Sequence, residues 1–149
     1  MIRVQLEDFD LGLELSKLSN GNHQIGGMVS FVGLVRDMAA GDSISAITLE
    51  HYPGMTEKQL TEIDQTANER WELNASLIIH RYGRLEPGDN IVLVACASPH
   101  RESAFDACHF LIDWLKTKAP FWKLEETRDG GHWVEAQTKD DVAMARWMK

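Results

Sequence analysis

The segment 90-NIVLVACASPHRESAFDACHFLIDWLKTKAPFWKLEE-126 carries most of the information about the fold, because a strand, a helix and a second strand follow one another in it. Residues 90–98 are apolar at both alternating positions, which is typical of a central strand covered on both faces. Residues 101–118 have the period of a helix, which ends before Pro120 because a proline pushes the preceding residue toward an extended conformation. The predicted buried stripe of this helix contains Phe105, Cys108, Ile112 and Leu115.

The rest of the chain mixes short strands and helices without the regular alternation of a parallel sheet. Helices are predicted at 10–18, with Leu11, Leu15 and Leu18 on one face, at 55–71 and at 139–148. Strands are predicted at 44–52, at 75–83 and in IGGMVSFVGLVR, where Gly26, Gly27 and Gly33 suggest bulges or close backbone approach. A loop is predicted at 37–43, and a hairpin joins 121–126 to 132–136 around TRDGG. These elements predict one α+β domain over residues 1–149, with largely antiparallel pairing and a C-terminal hairpin.

The composition excludes several classes of function. The 149 residues carry a net charge of −8, which argues against a nucleic-acid or anionic-membrane binder, although a few focused cations can still form a small anion site. The N-terminus lacks the apolar core of a signal peptide, and the apolar run Ile91–Ala97 is too short to span a bilayer. We therefore expect a cytoplasmic protein. Cys96 and Cys108 lie in apolar runs without CxxC spacing, so both are predicted to pack in the core.

No familiar cofactor or metal motif is present in the sequence. GxGxxG, GxxxxGK[ST] and GxSxG are all absent, which leaves a nucleotide-binding or serine-hydrolase function without support. His51 in LEHYPGM has no HxxxH or HxH partner, so a hydrogen-bonded structural histidine is favoured over a metal ligand. We predict neither a metal nor a cofactor.

Three groups of cationic residues are candidates for an anion site. His100 and Arg101 lie at the start of a predicted helix, where free N–H groups and the helix dipole favour anions. A structural explanation is equally good: Ser98 caps the helix, and the side chains of His100 and Arg101 are solvated. Arg36 follows an apolar strand, where an exposed arginine is the more common outcome.

The third group is in LKTKAPFWK, residues 115–123. Lys116 flanks the buried stripe of the helix, and Lys123 shares a strand face with Phe121 and Glu125. In the alternative interpretation both lysines are structural: Lys116 complements the helix dipole, and Lys123 blocks aggregation at the edge of a sheet. Spacing alone favours this alternative.

LEHYPGM (49–55), the PGD turn (87–89), HRESAF (100–105) and LKTKAPFWK occur in the order found in one family. Together they resemble the large, catalytic subunit of molybdopterin synthase, over about residues 26–147. The resemblance implies an α/β-hammerhead fold and a homodimer within a heterotetramer. The implied partner is a small ubiquitin-like sulfur carrier whose C-terminal Gly-Gly is a thiocarboxylate. The implied reaction transfers two sulfurs to cyclic pyranopterin monophosphate and forms the dithiolene of molybdopterin.

The resemblance also implies roles for individual residues. Lys116 and Lys123 would be catalytic amines clustered with His100 and Arg101 around an anionic substrate. The implied substrate-binding residues are Phe31, Leu34, Val35, Arg36, His100, Arg101, Lys116, Lys123, Leu124 and Glu125. Because a thiocarboxylate is itself a strong nucleophile, no catalytic cysteine is required. Two alternatives remain open: a non-catalytic dimeric adaptor that binds a ubiquitin-like tail, and a sulfurtransferase that depends on Cys96 or Cys108.

Overall fold

The computed structural model describes residues 1–39, 42–43, 45–127, 130–134 and 144–147. Its helices are α1 (Leu11–Ser19), α2 (Met55–Arg70) and α3 (Arg101–Thr117). Its strands are β1 (Ile2–Gln5), β2 (Gly27–Leu34), β3 (Met38–Ala39), β4 (Asp42–Ser43), β5 (Ala46–His51), β6 (Ala75–Arg81), β7 (Gly83–Leu85), β8 (Asn90–Ser98), β9 (Phe121–Thr127) and β10 (Gly130–Val134). Over the described ranges, no helix has the length and hydropathy needed to cross a membrane.

The first sheet has the strand order β1-β6-β8-β2. The strand β8 lies inside it and pairs antiparallel with both β6 and β2, which confirms the predicted central strand. Helices α2 and α3 cover one face of the sheet through a core that contains Ile78, Val94 and Leu111. Helix α1 covers the other face, where Leu15 and Leu18 pack against Leu77, Ile79 and Leu93. The two covered faces explain why β8 is apolar at every position from Ile91 to Ala97.

The second sheet has the order β10-β9-β5-β7, and all of its pairings are antiparallel. The strands β9 and β10 confirm the predicted C-terminal hairpin, although residues 135 and 136 of its second strand lie outside the described residues. The α+β class and the largely antiparallel pairing are also confirmed. A small core of Val35, Ile47, Leu49 and Leu85 covers the inner face of this sheet.

Three short pieces of sheet were not predicted. The predicted strand 75–83 ends at Arg81, and Gly83–Leu85 forms the separate strand β7, which pairs with β5 of the second sheet. Strand β1 pairs parallel with β6, so the first sheet is not wholly antiparallel. Its four residues alternate apolar and polar too briefly to give a clear period, and the pairing partner is distant in the chain. Strands β3 and β4 pair within the segment predicted to be a loop. The predicted helix 139–148 lies mostly outside the described residues.

Two helix faces differ from the prediction. Phe105 of α3 is 59% exposed, and the buried positions near it are Ala104, Ala107 and Cys108. Small residues bring the helix close to the sheet, so the correct stripe runs through alanines rather than through the bulky Phe105. On α1, Leu11 is exposed, whereas Glu14 is buried because it forms an ion pair with Arg3 of β1.

Gly26 and Gly27 form a matched pair for a test of packing. A Cβ atom at Gly26 would lie 2.1 Å from the carbonyl oxygen of Pro99, whereas one at Gly27 would meet nothing within 4 Å. We expect Gly26→Ala to lower the free energy of unfolding by about 2–3 kcal/mol, because the backbone beside it has to shift. Gly27→Ala should change it by less than about 1 kcal/mol. Urea denaturation measures both, and equal effects of the two variants would contradict the close approach.

Candidate active site

The candidate site lies where α3 ends and the chain crosses from the first sheet to the second. Helix α3 packs against β8 and β2, and after Pro120 the chain enters β9 of the second sheet. The first residue of β9, Phe121, stacks on His80 of β6, with ring centroids 3.7 Å apart and an interplanar angle of 15°. This stack joins the two sheets beside the C-terminal end of α3. We call this region the joint.

His80 is a buried and neutral histidine. Its Nδ1 lies 2.8 Å from the carbonyl oxygen of Arg81, and because a carbonyl only accepts, Nδ1 carries the proton and donates. The pKa of His80 is lowered to about 4, mainly by burial; the hydrogen bond to the backbone opposes this effect, and the positive charge of Lys116 adds to it. The ring is therefore uncharged at neutral pH, and Lys116 at the end of α3 acts on it electrostatically.

His51 is held on the other side of Phe121. Its Nδ1 lies 3.0 Å from Oγ1 of Thr56, whose hydroxyl donates to the carbonyl oxygen of Tyr52 at 2.7 Å. Because the hydroxyl proton of Thr56 is donated to Tyr52, the proton between His51 and Thr56 is carried by His51 Nδ1. The ring centroid of His51 lies 4.6 Å from that of Tyr82 and 5.8 Å from that of Phe121. His51 is thus hydrogen-bonded within the fold, as the sequence favoured.

Lys123 and Glu125 lie on the inner face of the second sheet. Their cross-strand partners are Leu49 and Ile47, which are both buried, and Glu125 itself is only 5% exposed. The shared face of Phe121, Lys123 and Glu125 agrees with the prediction from strand alternation. Strand β9 lies between β10 and β5, so Lys123 is not on an edge strand, and the aggregation-blocking alternative is wrong.

Lys116 lies in the last turn of α3, and its side chain is solvent-exposed. That position also suits the helix dipole, so the structural role considered for Lys116 is compatible with the fold. Leu124 faces the opposite side of the second sheet from Lys123, because successive residues of a strand alternate between faces.

The end of β2 reaches the same joint. Val35 is buried against Ile47 and Leu49, and its backbone pairs with Asp89 and Gly88. This anchoring places the exposed Leu34 and Arg36 at the end of the first sheet from which the second sheet extends. Phe31 lies further back on β2 and packs against the core beneath α3.

His100 and Arg101 lie at the opposite end of α3, where both are exposed. Ser98 does not cap the helix; its Oγ accepts from the backbone N–H of His100 and donates to the carbonyl oxygen of Glu72. At 1.5 Å per helical residue, Arg101 and Lys116 are roughly 22 Å apart along the axis. The structure therefore places Arg36, Lys116 and Lys123 at the end of the fold where the joint lies, whereas the His100–Arg101 pair of the same chain lies at the other end of α3.

The two cysteines face each other inside the core. Cys96 and Cys108 are both buried, as predicted. Their mutual hydrogen bond, together with burial, raises the pKa of the Cys96 thiol, and the same bond lowers the pKa of Cys108. Reactive thiols are exposed enough to meet a substrate, and these are not. A cysteine-dependent sulfur transfer is therefore disfavoured.

A cavity of about 780 Å³ lies away from the joint, between α1, α2 and the first sheet. Two of the cations that line it are paired, Arg3 with Glu14 and the amino group of Met1 with Asp64, and Lys17 is the third. Most of its positive charge is therefore compensated by carboxylates. Among the described residues, no three His, Cys, Asp or Glu side chains are arranged to hold a metal ion.

His80 and Tyr82 are site neighbours that the sequence did not identify. Both contacts are long-range, since the residues stacked against them belong to β5 and β9 of the other sheet. The available signal was a histidine inside the apolar strand 76-SLIIHR-81, where a polar ring requires a specific partner.

The architecture defines a class: an α+β domain of two sheets whose joint carries exposed and half-buried cations. Residues 4–118 match the family described as "MoaE protein", and the chain belongs to that family. A protein of Ralstonia nicotianae named "Molybdopterin synthase catalytic subunit" is 55% identical over 98% of this chain and 83% of its own length. A Pseudomonas aeruginosa protein of the same name is 54% identical over 98% of this chain and 97% of its own.

Solved structures show the same relationship. A "Molybdopterin biosynthesis MoaE protein" of Burkholderia ambifaria superposes with a TM-score of 0.85 at 50% identity, covering 100% of this chain and 98% of that one. A Staphylococcus aureus structure described as molybdopterin synthase has a TM-score of 0.82 at 32% identity, covering 89% of this chain and 96% of that one.

The buried neutral His80 makes stability depend on pH. Between the ordinary pKa of 6.5 and about 4, the unfolded chain binds the proton and the folded chain does not, so the free energy of unfolding falls as the pH drops through this window. Above this window, the shifted pKa of His80 costs the folded state nothing; below it, the free energy of unfolding is lower by about 3 kcal/mol, because one pKa unit corresponds to about 1.36 kcal/mol. Urea denaturation between about pH 7 and pH 4.5 measures the slope. His80→Phe, which has no titrating ring, should flatten it, and an unchanged slope in that variant would contradict the assignment.

Proposed function

We propose that this chain is the catalytic subunit of a molybdopterin synthase. It transfers two sulfurs from the thiocarboxylated C-terminus of a small ubiquitin-like subunit to cyclic pyranopterin monophosphate, which forms the dithiolene of molybdopterin. The observation that carries the proposal is that Arg36, Lys116 and Lys123 lie at the same end of the fold, beside the joint. It is supported by membership of the MoaE family and by the names of relatives that are more than half identical to this chain.

Electrostatics explains why the reaction needs amines. The thiocarboxylate tail and the cyclic phosphate are both anions, and two unit charges 4 Å apart repel by about 4 kcal/mol at an effective dielectric constant of 20. Lysines and an arginine between them convert this repulsion into attraction. Once the sulfur has bonded to the pterin, the carrier is held as a thioester, and water adds to its acyl carbon. One ammonium group can stabilise the tetrahedral oxyanion so formed, which collapses to the carrier carboxylate and the pterin thiolate. The other can exchange a proton as sulfur adds to the pterin and the cyclic phosphate opens.

The surroundings of Lys123 suit this role. The lysine is half-buried on the inner face of the second sheet, beside the buried Glu125 and after Phe121. Partial burial excludes water and strengthens the interaction of the ammonium with an anion. Lys116, which is exposed, is accessible to a peptide tail that arrives from solvent. Leu34 and Arg36 border the same space and would contact the substrate.

The position of His100 and Arg101 supports a homodimer with shared sites. Within one chain these residues are too far from Lys116 to contact the same small substrate. A second copy that presents its α3 N-terminus to the joint of the first would supply the missing arginine, whose planar guanidinium suits a phosphate. The small subunit would complete the heterotetramer. The two free buried cysteines are compatible with the reducing cytoplasm as the place of action.

The lysines can be tested one at a time. Lys116→Ala and Lys123→Ala should each reduce sulfur transfer from purified thiocarboxylated partner by about 100-fold or more, the cost of removing one transition-state donor. Dithiolene product formed per minute is the measurement, and circular dichroism verifies folding. Lys118→Ala is the matched control, because Lys118 caps the same helix but borders a different surface with Gln59 and Trp114.

Near-normal product formation in either variant would remove that lysine from the mechanism. If the wild-type chain binds the partner and yields no dithiolene with both substrates present, the adaptor alternative takes the place of the enzyme.

A further inference from the structure

Four rings connect the two sheets at the joint, and we call them the ring ladder. Tyr82 contacts His51 at a centroid distance of 4.6 Å, His51 contacts Phe121 at 5.8 Å, and Phe121 stacks on His80 at 3.7 Å. His80 belongs to β6 of the first sheet, whereas His51 and Phe121 belong to β5 and β9 of the second. Tyr82 lies in the connection between β6 and β7, so the ladder crosses once from the first sheet to the second and ends at this connection.

Each lysine of the proposed site is related to one ring of the ladder. Lys116 is near enough to His80 to oppose its protonation. Lys123 follows Phe121 on the same strand face, at a Cα spacing of about 7 Å. Any rotation of β9 about the Pro120 turn would move Lys123 relative to Lys116, and the stack of Phe121 on His80 opposes that rotation.

Hydrogen bonds fix both histidine rings. His80 donates from Nδ1 to the carbonyl oxygen of Arg81, and His51 donates from Nδ1 to Thr56, which is fully buried. Each imidazole thus has one defined orientation, and Phe121 has one defined place to stack. Because His80 is neutral at neutral pH, it restrains the strand without adding a positive charge beside Lys116.

We propose that His80 and His51 are positioning residues of the active site, which set the distance between the amines of Lys116 and Lys123 through their contacts with Phe121. The consequence for catalysis rests on the proposed sulfur transfer. The geometric part does not, because the spacing of two amines can be measured without any reaction.

The test compares three substitutions at one position. His80→Leu and His80→Phe both remove the hydrogen bond to Arg81, but only the phenylalanine keeps a ring to stack on Phe121. His80→Asn keeps a donor in the place of Nδ1 and removes the ring. Thermal unfolding is recorded for each variant, so that only folded protein enters the comparison.

Two measurements are made on every variant. The first is the yield of the Lys116–Lys123 product of a short amine-reactive crosslinker, determined by peptide mass spectrometry. The second is kcat and KM for the thiocarboxylated partner. We expect His80→Leu and His80→Asn to lower the crosslink yield about threefold and kcat about tenfold or more, with KM within about twofold, because positioning acts on the chemical step. His80→Phe should retain both quantities within about threefold of the wild type.

A matched control comes from the other face of the same sheet. Tyr52 contacts Trp122 at 4.6 Å, next to the ladder but facing away from Lys123. Tyr52→Leu removes this contact and should leave the crosslink yield and kcat within about twofold.

The proposal is overturned if His80→Leu retains the wild-type crosslink yield, or if His80→Asn retains function where His80→Phe loses it. The second result would assign the effect to the hydrogen bond rather than to the ring. Failure of the proposed function gives a different result. In that case the Lys116→Ala and Lys123→Ala variants stay active, while the crosslink yield of the wild-type lysines still depends on the ring at position 80.

Discussion

The stack of Phe121 on His80 is the contact on which the geometry of the joint depends. Around it, the first sheet ends, α3 terminates before Pro120, and the second sheet begins. A polar ring inside an apolar strand is costly unless its nitrogen is hydrogen-bonded, and the carbonyl of Arg81 meets this requirement. Burial then keeps the imidazole neutral, so the contact joins two sheets without introducing charge into the core.

The proposed site at this joint gives one explanation for several cations in an acidic protein. The chain carries a net charge of −8, yet Arg36, Lys116 and Lys123 lie at the same end of the fold. A local concentration of cations attracts an anion even when the overall charge is negative. The thiols, by contrast, are buried together beneath α3. This distribution suits a reaction in which the partner supplies the sulfur nucleophile and this chain supplies positive charge.

Much of the fold follows from local patterns in the sequence. The central strand β8, the terminal hairpin and the shared face of Lys123 and Glu125 were predicted from periodicity. Contacts between segments that are distant in the chain could not be predicted from periodicity. The pairing of β1 and the partner of His80 were missed for this reason. Three members of the predicted stripe of α3, Cys108, Ile112 and Leu115, do pack in the core. The fourth, Phe105, was wrong because its size suggested burial, whereas close helix–sheet packing buries Ala104 instead.

The distance between Arg101 and Lys116 follows directly from the rise of an α-helix, which is about 1.5 Å per residue. A clustered site therefore requires a second chain, and hybrid dimers test this most directly. Two chains that carry Arg101→Ala and Lys123→Ala, each inactive alone, are given different affinity tags and purified together. If each site takes its lysine from one copy and its arginine from the other, one intact site forms per hybrid, and dithiolene formation returns to about half of the wild-type rate. A hybrid as inactive as its parents would contradict a shared site.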